Sequence, residues 1–369
     1  MMEKKKIFII DDDVITRRAI INALSSDGTF EVSGFASDAN IGIAKIQLVE
    51  ADAVVMSLGV KDMGGLELLS NVIKYKPAAV IILMVNSGES STNAKMTFDA
   101  LNSGAKDYVM KPSGPPDNAA ITKLAMDEII PKIKLYMGYL KYELIPKPAA
   151  ISEILPGLGN SLNRFGHYEK IKNQKIDIIA IGVSTGGPEA LLTLLSGFPK
   201  NFNVPIVVVQ HMPVMFTKIL AERLSANTGL FVLEACHGMR LDPGKIYIAP
   251  GNYHMTVGRE GITFKISLNQ GAYENSCRPS VDPLFRSVSE TYGKNVLAVI
   301  LTGMGQDGYL GSEVIVRNGG RVIAQDRETS VVWGMPGAVV EAGLADAVLP
   351  INNIAFEIFK RVNNGFGSI

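Results

Sequence analysis

Cysteine is nearly absent from this chain, with only Cys236 and Cys277 in 369 residues. Neither lies in a paired metal-ligand spacing, which argues against a disulfide framework and a structural zinc site. Long hydrophobic runs are also missing, because no segment reaches the ~18–20 apolar residues that a membrane span requires. The apolar run Ile7–Ile10 is too short for a signal peptide and ends in three aspartates. We therefore expect a cytoplasmic protein with no direct membrane insertion.

Net charge is absent as well, since Lys+Arg and Asp+Glu number 36 each. Without a global positive field, little draws the chain to nucleic acid or to an anionic membrane. A DNA-binding effector would need a compact helix-turn-helix with a basic face, and the sequence offers no basic cluster of that kind. We therefore expect no nucleic-acid partner.

The chain does contain a regular alternation of short apolar, β-branched runs with amphipathic stretches. This pattern predicts parallel sheets with helices on both faces, and the length suits two α/β domains of that kind. The predicted boundaries are 1–125 for the first domain, 126–174 for a helix extension and linker, and 175–363 for the second.

The predicted strands fall into two sets separated by the linker. They are 7–10, 30–35, 53–56, 80–85 and 107–110 in the first half, and 177–181, 204–209, 245–249, 296–301 and 321–324 in the second. A hairpin at 253–257 and 262–266 is predicted at the edge of the second sheet. Pro131 is expected to interrupt the last helix of the first half.

Acidic residues follow the first strand, and a Lys-Pro pair follows the fifth. Asp11 and Asp12 suit a divalent cation, because hard cations prefer carboxylate oxygens; taken alone, they could also simply end a strand in solvent. Together, IFIIDDD, GGLELL and GAKDYVMKP resemble a response-regulator receiver domain over residues 4–125. The resemblance implies a flavodoxin-like doubly wound fold. It places the family's acidic pair on Asp11 and Asp12 and its lysine on Lys111.

The resemblance breaks where the receiver family carries its phospho-accepting aspartate. That position falls on Ser57, and a serine cannot supply the carboxylate that ligates magnesium and accepts the phosphoryl group. Asp62, in the following loop, and Asp52, at the far end of the strand, are poor substitutes. The family's switch position, at Asn86 or Ser87, would have no phosphate to bind. We therefore predict a pseudo-receiver that is not phosphorylated on aspartate, and we expect no dependable magnesium site.

The strand at 177–181 runs directly into the G-x-S-x-G pattern of residues 182–186, with Ser184 at its centre. Glycines there permit a sharp strand-to-helix turn that presents the serine hydroxyl at the carboxyl edge of the sheet. The N–H groups of the helix start can face developing negative charge. Such a turn could instead cradle a phosphate, although neither G-x-G-x-x-G nor a G-K-[ST] phosphate loop is present. Ser184 is our candidate nucleophile, with phosphate binding as the alternative.

A serine nucleophile needs a base, and only four histidines are available. His211 follows the apolar strand 204–209, so it should emerge at the same carboxyl edge as Ser184. The others are assigned to a linker, a surface loop and a hairpin (His167, His237 and His254). The orienting acid should come from a third strand end, where Asp307 lies in a glycine-rich loop. Asp282, at a helix start, and Asp326, in a polar loop, are competitors.

Five separated motifs, GVSTGGPEAL, VVVQHM, RPSVDPLF, LTGMGQDG and VWGMPGAV, together resemble the chemotaxis protein-glutamate methylesterase domain. The resemblance covers roughly residues 176–360 and implies a Rossmann-like doubly wound serine esterase domain. It implies hydrolysis of glutamate γ-methyl esters on chemoreceptors, releasing methanol, and often deamidation of receptor glutamines. Position by position, its catalytic serine, histidine and aspartate fall on Ser184, His211 and Asp307. The implied partners are the cytoplasmic helices of methylated chemoreceptors and the chemotaxis histidine kinase, and catalysis requires no cofactor.

Other residues could support such a site. Backbone N–H groups near Thr185 and Met304 are candidates for an oxyanion hole. Arg278 is either a clamp for an acidic substrate segment or part of a structural ion pair. Met304, Met335 and Trp333 either line a pocket or belong to the core. The alternative to an enzyme is a non-catalytic signalling scaffold derived from one, which the intact serine, histidine and aspartate argue against.

In the family that the chain resembles, the receiver covers the catalytic face until phosphorylation moves it. Ser57 puts that control in doubt for this chain. The sequence leaves two alternatives, a constitutively active esterase or a pseudo-receiver biased by a binding partner.

Overall fold

The computed structural model describes residues 4–87, 91–139 and 174–364. The chain divides into two compact units, and each is described by itself. Among the described residues, no helix has both the length and the apolar composition that crossing a bilayer demands. Residues 140–173, which include most of the predicted linker and His167, lie outside the described residues.

The first unit is a five-stranded parallel sheet with strand order β2-β1-β3-β4-β5. All predicted strands are present to within two residues, and the strand order confirms the flavodoxin-like fold. Its central strands are continuous apolar runs because helices cover both faces of the sheet. The elements are β1 (Lys5–Ile10), α1 (Val14–Ser26), β2 (Phe30–Ala36), α2 (Ala39–Ile46), β3 (Ala53–Ser57), α3 (Gly65–Tyr75), β4 (Val80–Val85), α4 (Ser91–Asn102) and β5 (Asp107–Met110).

The helical segment that follows β5 runs from Asn118 to Tyr136 without a break. It consists of α5 (Asn118–Leu124), a π-helical turn (Ala125–Ile129) and α6 (Ile130–Tyr136). The prediction that Pro131 interrupts this helix is wrong. The proline lies in the first turn of α6, directly after the π turn, where its missing N–H matters least. Ile129 and Ile133 are buried in the core of the first unit, so the segment past residue 125 packs with that unit.

The second unit is a seven-stranded parallel sheet with strand order β14-β13-β12-β6-β7-β9-β8, which confirms the doubly wound prediction. Its elements are β6 (Ile178–Val183), α7 (Gly187–Ser196), β7 (Ile206–Gln210), α8 (Phe216–Thr228), β8 (Phe231–Glu234), β9 (Lys245–Ile248), β10 (His254–Glu260), β11 (Thr263–Asn269), α9 (Val281–Tyr292), β12 (Val296–Ile300), α10 (Tyr309–Arg317), β13 (Arg321–Gln325), α11 (Met335–Glu341), β14 (Ala347–Leu349) and α12 (Ile351–Asn364).

Two features of this sheet differ from the sequence prediction. The hairpin β10–β11 forms a separate two-stranded antiparallel sheet and does not extend the edge of the main one. The edge strands β8 and β14 were not predicted. Each has at most four residues and exposes apolar side chains, such as Phe231 at 63% and Val348 at 42%, so neither shows the buried run of a central strand.

Candidate active site

Three adjacent strands of the second sheet, β12, β6 and β7, deliver the three predicted catalytic residues to one edge. Ser184 follows β6 and His211 follows β7, one residue beyond the paired positions Val183 and Gln210. The backbone continues this pairing, since His211 N donates to Val183 O at 3.2 Å. Asp307 lies in the loop after β12, on the other side of β6. The carboxyl edge of the parallel sheet thus brings serine, histidine and aspartate together.

The turn that carries Ser184 depends on close backbone packing. Gly186 has φ +77°, a left-handed conformation that favours glycine. A Cβ on Gly187 would lie 1.9 Å from Gln210 Oε1, so no larger residue fits there without displacing that side chain. Gln210 is buried, and its Nε2 donates to Ser184 O at 2.9 Å. The turn is therefore fastened to the end of β7, the strand that also presents His211.

Thr302 fastens the same turn from the other side. This buried residue, at the end of β12, accepts a hydrogen bond from Ser184 N on its carbonyl at 3.0 Å. Its hydroxyl donates to Thr185 O at 3.0 Å and accepts from Val332 N at 2.9 Å. The sequence argument missed both Thr302 and Gln210. A signal was present, because each is a polar residue at the end of an otherwise apolar strand.

His211, which is partly buried, pairs with the buried Asp307, with Nε2 2.7 Å from Oδ2. Asp307 is only 1% exposed. Its carboxylate also accepts the backbone N–H groups of Val281 at 2.7 Å and Asp282 at 3.1 Å, together with the hydroxyl of Ser280 at 2.8 Å. These donors are the N-terminus of α9, whose partial positive charge stabilises an anion. The carboxylate is thus held ionised and fixed in orientation against the imidazole.

The competitor Asp282 occupies a reciprocal position. Its Oδ1 accepts the backbone N–H of Gly311 in the first turn of α10 at 2.7 Å. Asp307 precedes α10 but binds the start of α9, whereas Asp282 starts α9 but binds the start of α10. The two carboxylates are therefore crossed between neighbouring helices. The third acid, Asp326, accepts from Thr329 at 2.6 and 3.0 Å and closes its own loop.

The charges of the pair shift both pKa values. Burial by itself lowers the pKa of His211 and raises that of Asp307. For His211, the hydrogen bonds to Asp307 and then to Cys277, together with the charges of both groups, outweigh burial and raise the pKa. For Asp307, the hydrogen bond and charge of His211, together with the donors at the start of α9, outweigh burial and lower the pKa. Burial, and next the charge of Asp307, raises the pKa of Asp282 to about 6. His211 consequently reaches its neutral, proton-accepting form only at a higher pH than a free imidazole does.

The second ring nitrogen of His211 is the one left for the nucleophile. Because Asp307 binds Nε2, only Nδ1 is available to accept a proton from Ser184. Nδ1 is hydrogen-bonded to Cys277 Sγ at 3.5 Å, a contact that Ser184 must replace. Within the described part of the chain, Ser184 Oγ forms no hydrogen bond. The nucleophile and the base therefore lie at adjacent strand ends without a hydrogen bond between them. Such catalytic hydrogen bonds often tighten only when substrate is bound.

The two backbone N–H groups predicted for the oxyanion hole are available to bind an anion. Within the described residues, neither Thr185 N nor Met304 N donates a hydrogen bond, so both remain able to bind a developing oxyanion. Met304 is 43% exposed at the rim of the site. Met335 is fully buried beneath Gly303, where a Cβ would meet its sulfur at 2.3 Å, which makes it a core residue.

Arg278 is engaged by its own loop. Its guanidinium donates to Asn252 Oδ1 at 2.6 and 3.1 Å and to the carbonyls of Gln270 and Gly271 at 3.1 and 2.9 Å. It also lies 4.3 Å from the centre of the Tyr273 ring. The fifth guanidinium N–H donates to the Tyr273 hydroxyl at 3.5 Å, so every donor has a partner in this conformation, and none of these partners is a carboxylate.

Two other histidines have structural surroundings. His254 is buried, with Nε2 2.8 Å from Ala272 O, and its Nδ1 accepts from Ser280 N at 3.2 Å. It thereby supports the segment that leads to the Asp307-binding helix. His237 is exposed and contacts the backbone of Leu268, as expected of a surface residue. Neither belongs to the seven-stranded sheet that carries Ser184.

In the first unit, Lys111 contacts two of the positions that the receiver resemblance singled out, Asp11 and Ser57. Its Nζ is 2.5 Å from Asp11 Oδ2 and donates to Ser57 Oγ at 3.2 Å. Asp11 is fully buried, and burial raises its pKa although Lys111 opposes the shift. Asp12 is partly exposed, and Lys61 Nζ approaches it to 3.8 Å. The buried carboxylate is thus neutralised by an ammonium group of the chain itself.

The residues at this edge do not fit a receiver magnesium site. Ser57 offers a hydroxyl where a third carboxylate would be needed, and the Lys111 ammonium occupies Asp11. Asp62 accepts the N–H groups of Ala39 at 2.9 Å and Asn40 at 3.0 Å, which commits it to the start of α2. Across the described ranges, no three His, Cys, Asp or Glu side chains are grouped in a way that could hold a metal.

Comparison with known proteins places both units. Residues 179–358 match the family model described as CheB methylesterase, and residues 7–123 match the response regulator receiver domain. A crystal structure of the Thermotoga maritima CheB methylesterase catalytic domain is 45% identical with a TM-score of 0.50, covering 50% of this chain and 98% of that one.

Full-length relatives share both units in the same order. A protein-glutamate methylesterase/protein-glutamine glutaminase of Trichodesmium erythraeum is 42% identical over 366 residues, covering 98% of this chain and 100% of the relative. One of the same name from a Nocardioides species is 38% identical, covering 97% and 95%. This chain therefore belongs to the protein-glutamate methylesterase/protein-glutamine glutaminase family, as an enzyme in which a receiver domain precedes a methylesterase domain.

Proposed function

We propose that this protein hydrolyses glutamate γ-methyl esters on the cytoplasmic helices of chemoreceptors, with Ser184 as nucleophile, His211 as base and Asp307 as the orienting acid. The observation that carries the proposal is the pairing of His211 with the buried Asp307, 2.7 Å between Nε2 and Oδ2, at the ends of the two strands that flank the Ser184 strand. A buried, ionised carboxylate on one imidazole nitrogen prepares the other nitrogen to take a proton. A scaffold could use Asp307 to hold the start of α9, but it would not need the imidazole paired with that carboxylate.

The reaction would proceed through a glutamyl-enzyme. Ser184 Oγ attacks the ester carbonyl carbon and its proton passes to His211 Nδ1, while the oxyanion accepts from Thr185 N and Met304 N. The tetrahedral intermediate collapses, and Nδ1 returns the proton to the departing methoxide, which leaves as methanol. Water then attacks the acyl carbon as Nδ1 takes one of its protons. The bond to Ser184 Oγ breaks, Nδ1 returns the proton to Oγ, and the glutamate side chain leaves as the free acid. No step requires a cofactor.

The same residues would support deamidation of receptor glutamines. A primary amide offers the same carbonyl geometry, and the protonated Nδ1 can donate to departing ammonia as it does to methoxide. The names of the relatives include glutaminase activity. We propose this as a second reaction of the same site.

The test is methanol release from methylated chemoreceptor by the full chain. We expect release that is proportional to enzyme and that continues through many turnovers, because the acyl-enzyme is hydrolysed by water. Ammonia release from an unmodified receptor with glutamine at the same positions tests the second reaction. A protein that binds receptor and releases no methanol would be a scaffold, and the proposal would then be wrong.

For the receiver domain we propose that aspartyl phosphorylation does not occur. Ser57 has no carboxylate, and Lys111 already joins it to Asp11. Incubation with labelled acetyl phosphate and magnesium should leave the wild-type chain unlabelled, and Ser57→Asp is the matched variant that restores an acceptor. Hydroxylamine-labile label on the wild type would contradict the proposal, because that lability marks an acyl phosphate.

A further inference from the structure

A tight turn at Glu274–Cys277 precedes α9 and lies against the His211–Asp307 pair. The ends of the turn are joined by hydrogen bonds of 2.9 and 3.3 Å between Glu274 and Cys277. Glu274 also pairs with both oxygens to Arg286 of α9, at 2.7 and 2.9 Å. The turn is therefore anchored to the same helix whose N-terminus binds Asp307.

Within this turn, Asn275 contacts both crossed carboxylates. Its Nδ2 donates to Asp307 Oδ1 at 2.8 Å and to Asp282 Oδ2 at 2.9 Å. Because both partners accept, the NH₂ and not the carbonyl of the amide must face them. Asp282 and Asp307 are each 1% exposed, so water has little access to screen their repulsion. The amide is the neutral donor that they share.

The backbone of Asn275 is in the left-handed region, with φ +51°, and its neighbour Ser276 has φ +60°. Asparagine tolerates this conformation better than most residues, and glycine tolerates it best. If the turn needed only its backbone shape, glycine would serve at both positions. The two hydrogen bonds give the asparagine side chain a role in addition to the backbone shape of the turn.

The turn also faces the other end of the pair. Cys277 Sγ lies 3.5 Å from His211 Nδ1, while Asp307 holds Nε2. The charged and titratable groups around the pair are Asp282 and Arg286 on α9, and Glu274 and Cys277 in the turn. The Asn275 amide, in contrast, is uncharged and contacts Asp307 directly.

We propose that Asn275 is a positioning residue of the esterase, whose amide lies between Asp282 and Asp307 and limits how strongly Asp307 holds the proton of His211. The inference rests on the proposed function only for its effect on turnover. Its effect on His211 itself does not depend on any activity. A carboxylate that loses one donor becomes a stronger acceptor for the imidazolium that remains beside it.

The test compares Asn275→Gly with Ser276→Gly. Both place glycine at a left-handed position of one turn, but only the first removes the shared amide; Ser276 forms no side-chain hydrogen bond in the described structure. For Asn275→Gly we expect the pKa of His211 to rise by about one pH unit and kcat/KM near neutral pH to fall about tenfold. Ser276→Gly should match the wild type in both measurements.

Titration of the His211 ring by NMR and the pH dependence of methanol release supply the two readouts. A merely structural role would lower Tm in Asn275→Gly and leave the His211 titration unmoved, and that result would overturn the inference. Equal behaviour of the two glycine variants would overturn it as well. If the wild type released no methanol, the proposed function would fail, while a shifted His211 titration would still support the positioning role of Asn275.

Discussion

Ser184→Ala is expected to reduce methanol release by a factor of ~10⁴ or more in kcat, because the three catalytic groups act as a unit. The hydroxyl of Ser184 is the group that forms the acyl-enzyme in the proposed mechanism. Initial rates of methanol release at saturating methylated receptor measure the loss. Binding of the receptor should be unchanged, since the variant keeps the backbone N–H groups of the turn.

The matched control is Ser196→Ala, the same substitution at the exposed end of the helix that follows the nucleophile. Its hydroxyl bonds only to the backbone of its own helix, at Leu192 O, 2.7 Å away. This control should release methanol at the wild-type rate. Retention of wild-type turnover by Ser184→Ala would remove the serine from the mechanism.

Asp307→Asn is expected to lower kcat by ~10⁴ as well, because an amide on Nε2 no longer stabilises the imidazolium or fixes the ring. It should also change the pH profile in a defined direction. In the wild type the raised pKa of His211 means that kcat/KM increases with pH beyond the range in which a free imidazole titrates. Removing the carboxylate lowers that pKa, so the ascending limb of the residual activity should move to lower pH.

Stability must be measured alongside, because the same carboxylate holds the start of α9. The amide would place its NH₂ against N–H groups such as that of Val281, leaving a buried donor unpaired at a cost of about 1–3 kcal/mol. Asp326→Asn is the control, since within the described structure that carboxylate binds Thr329 of its own loop and contacts neither His211 nor α9. An ascending limb that stays in place in Asp307→Asn would show that Asp307 does not govern the protonation of His211.

Much of this site followed from the sequence because strand ends are predictable. A buried run such as 204–209 ends where polar residues begin, and parallel strands end at one edge, so Ser184 and His211 could be placed together without coordinates. Asp307 was one of three candidate acids at this stage, and the family resemblance selected it. The loss of the phospho-acceptor at Ser57 was equally visible, since a single residue type decides that chemistry.

What sequence could not supply were contacts between segments that have no common period. The crossed binding of Asp307 and Asp282 depends on how α9 and α10 lie side by side, and the bridging amide of Asn275 depends on the same packing. The prediction treated Asp282 as a rival for one catalytic role. The structure shows two acids with reciprocal roles. Asp307 accepts the N–H groups at the start of α9, and Asp282 accepts an N–H group at the start of α10.

That reciprocity has a consequence for how such a protein could lose its chemistry. Asp307 is part of the joint between α9 and α10, whereas the Ser184 hydroxyl forms no hydrogen bond in the described structure. A lineage that drifts towards a purely receptor-binding role is therefore expected to discard the serine first and to keep the aspartate long afterwards. For the same reason, a Ser184 variant is the suitable choice for binding the receptor without turnover, because removing the serine hydroxyl leaves the contacts of Asp307 and Asp282 with the two helices unchanged.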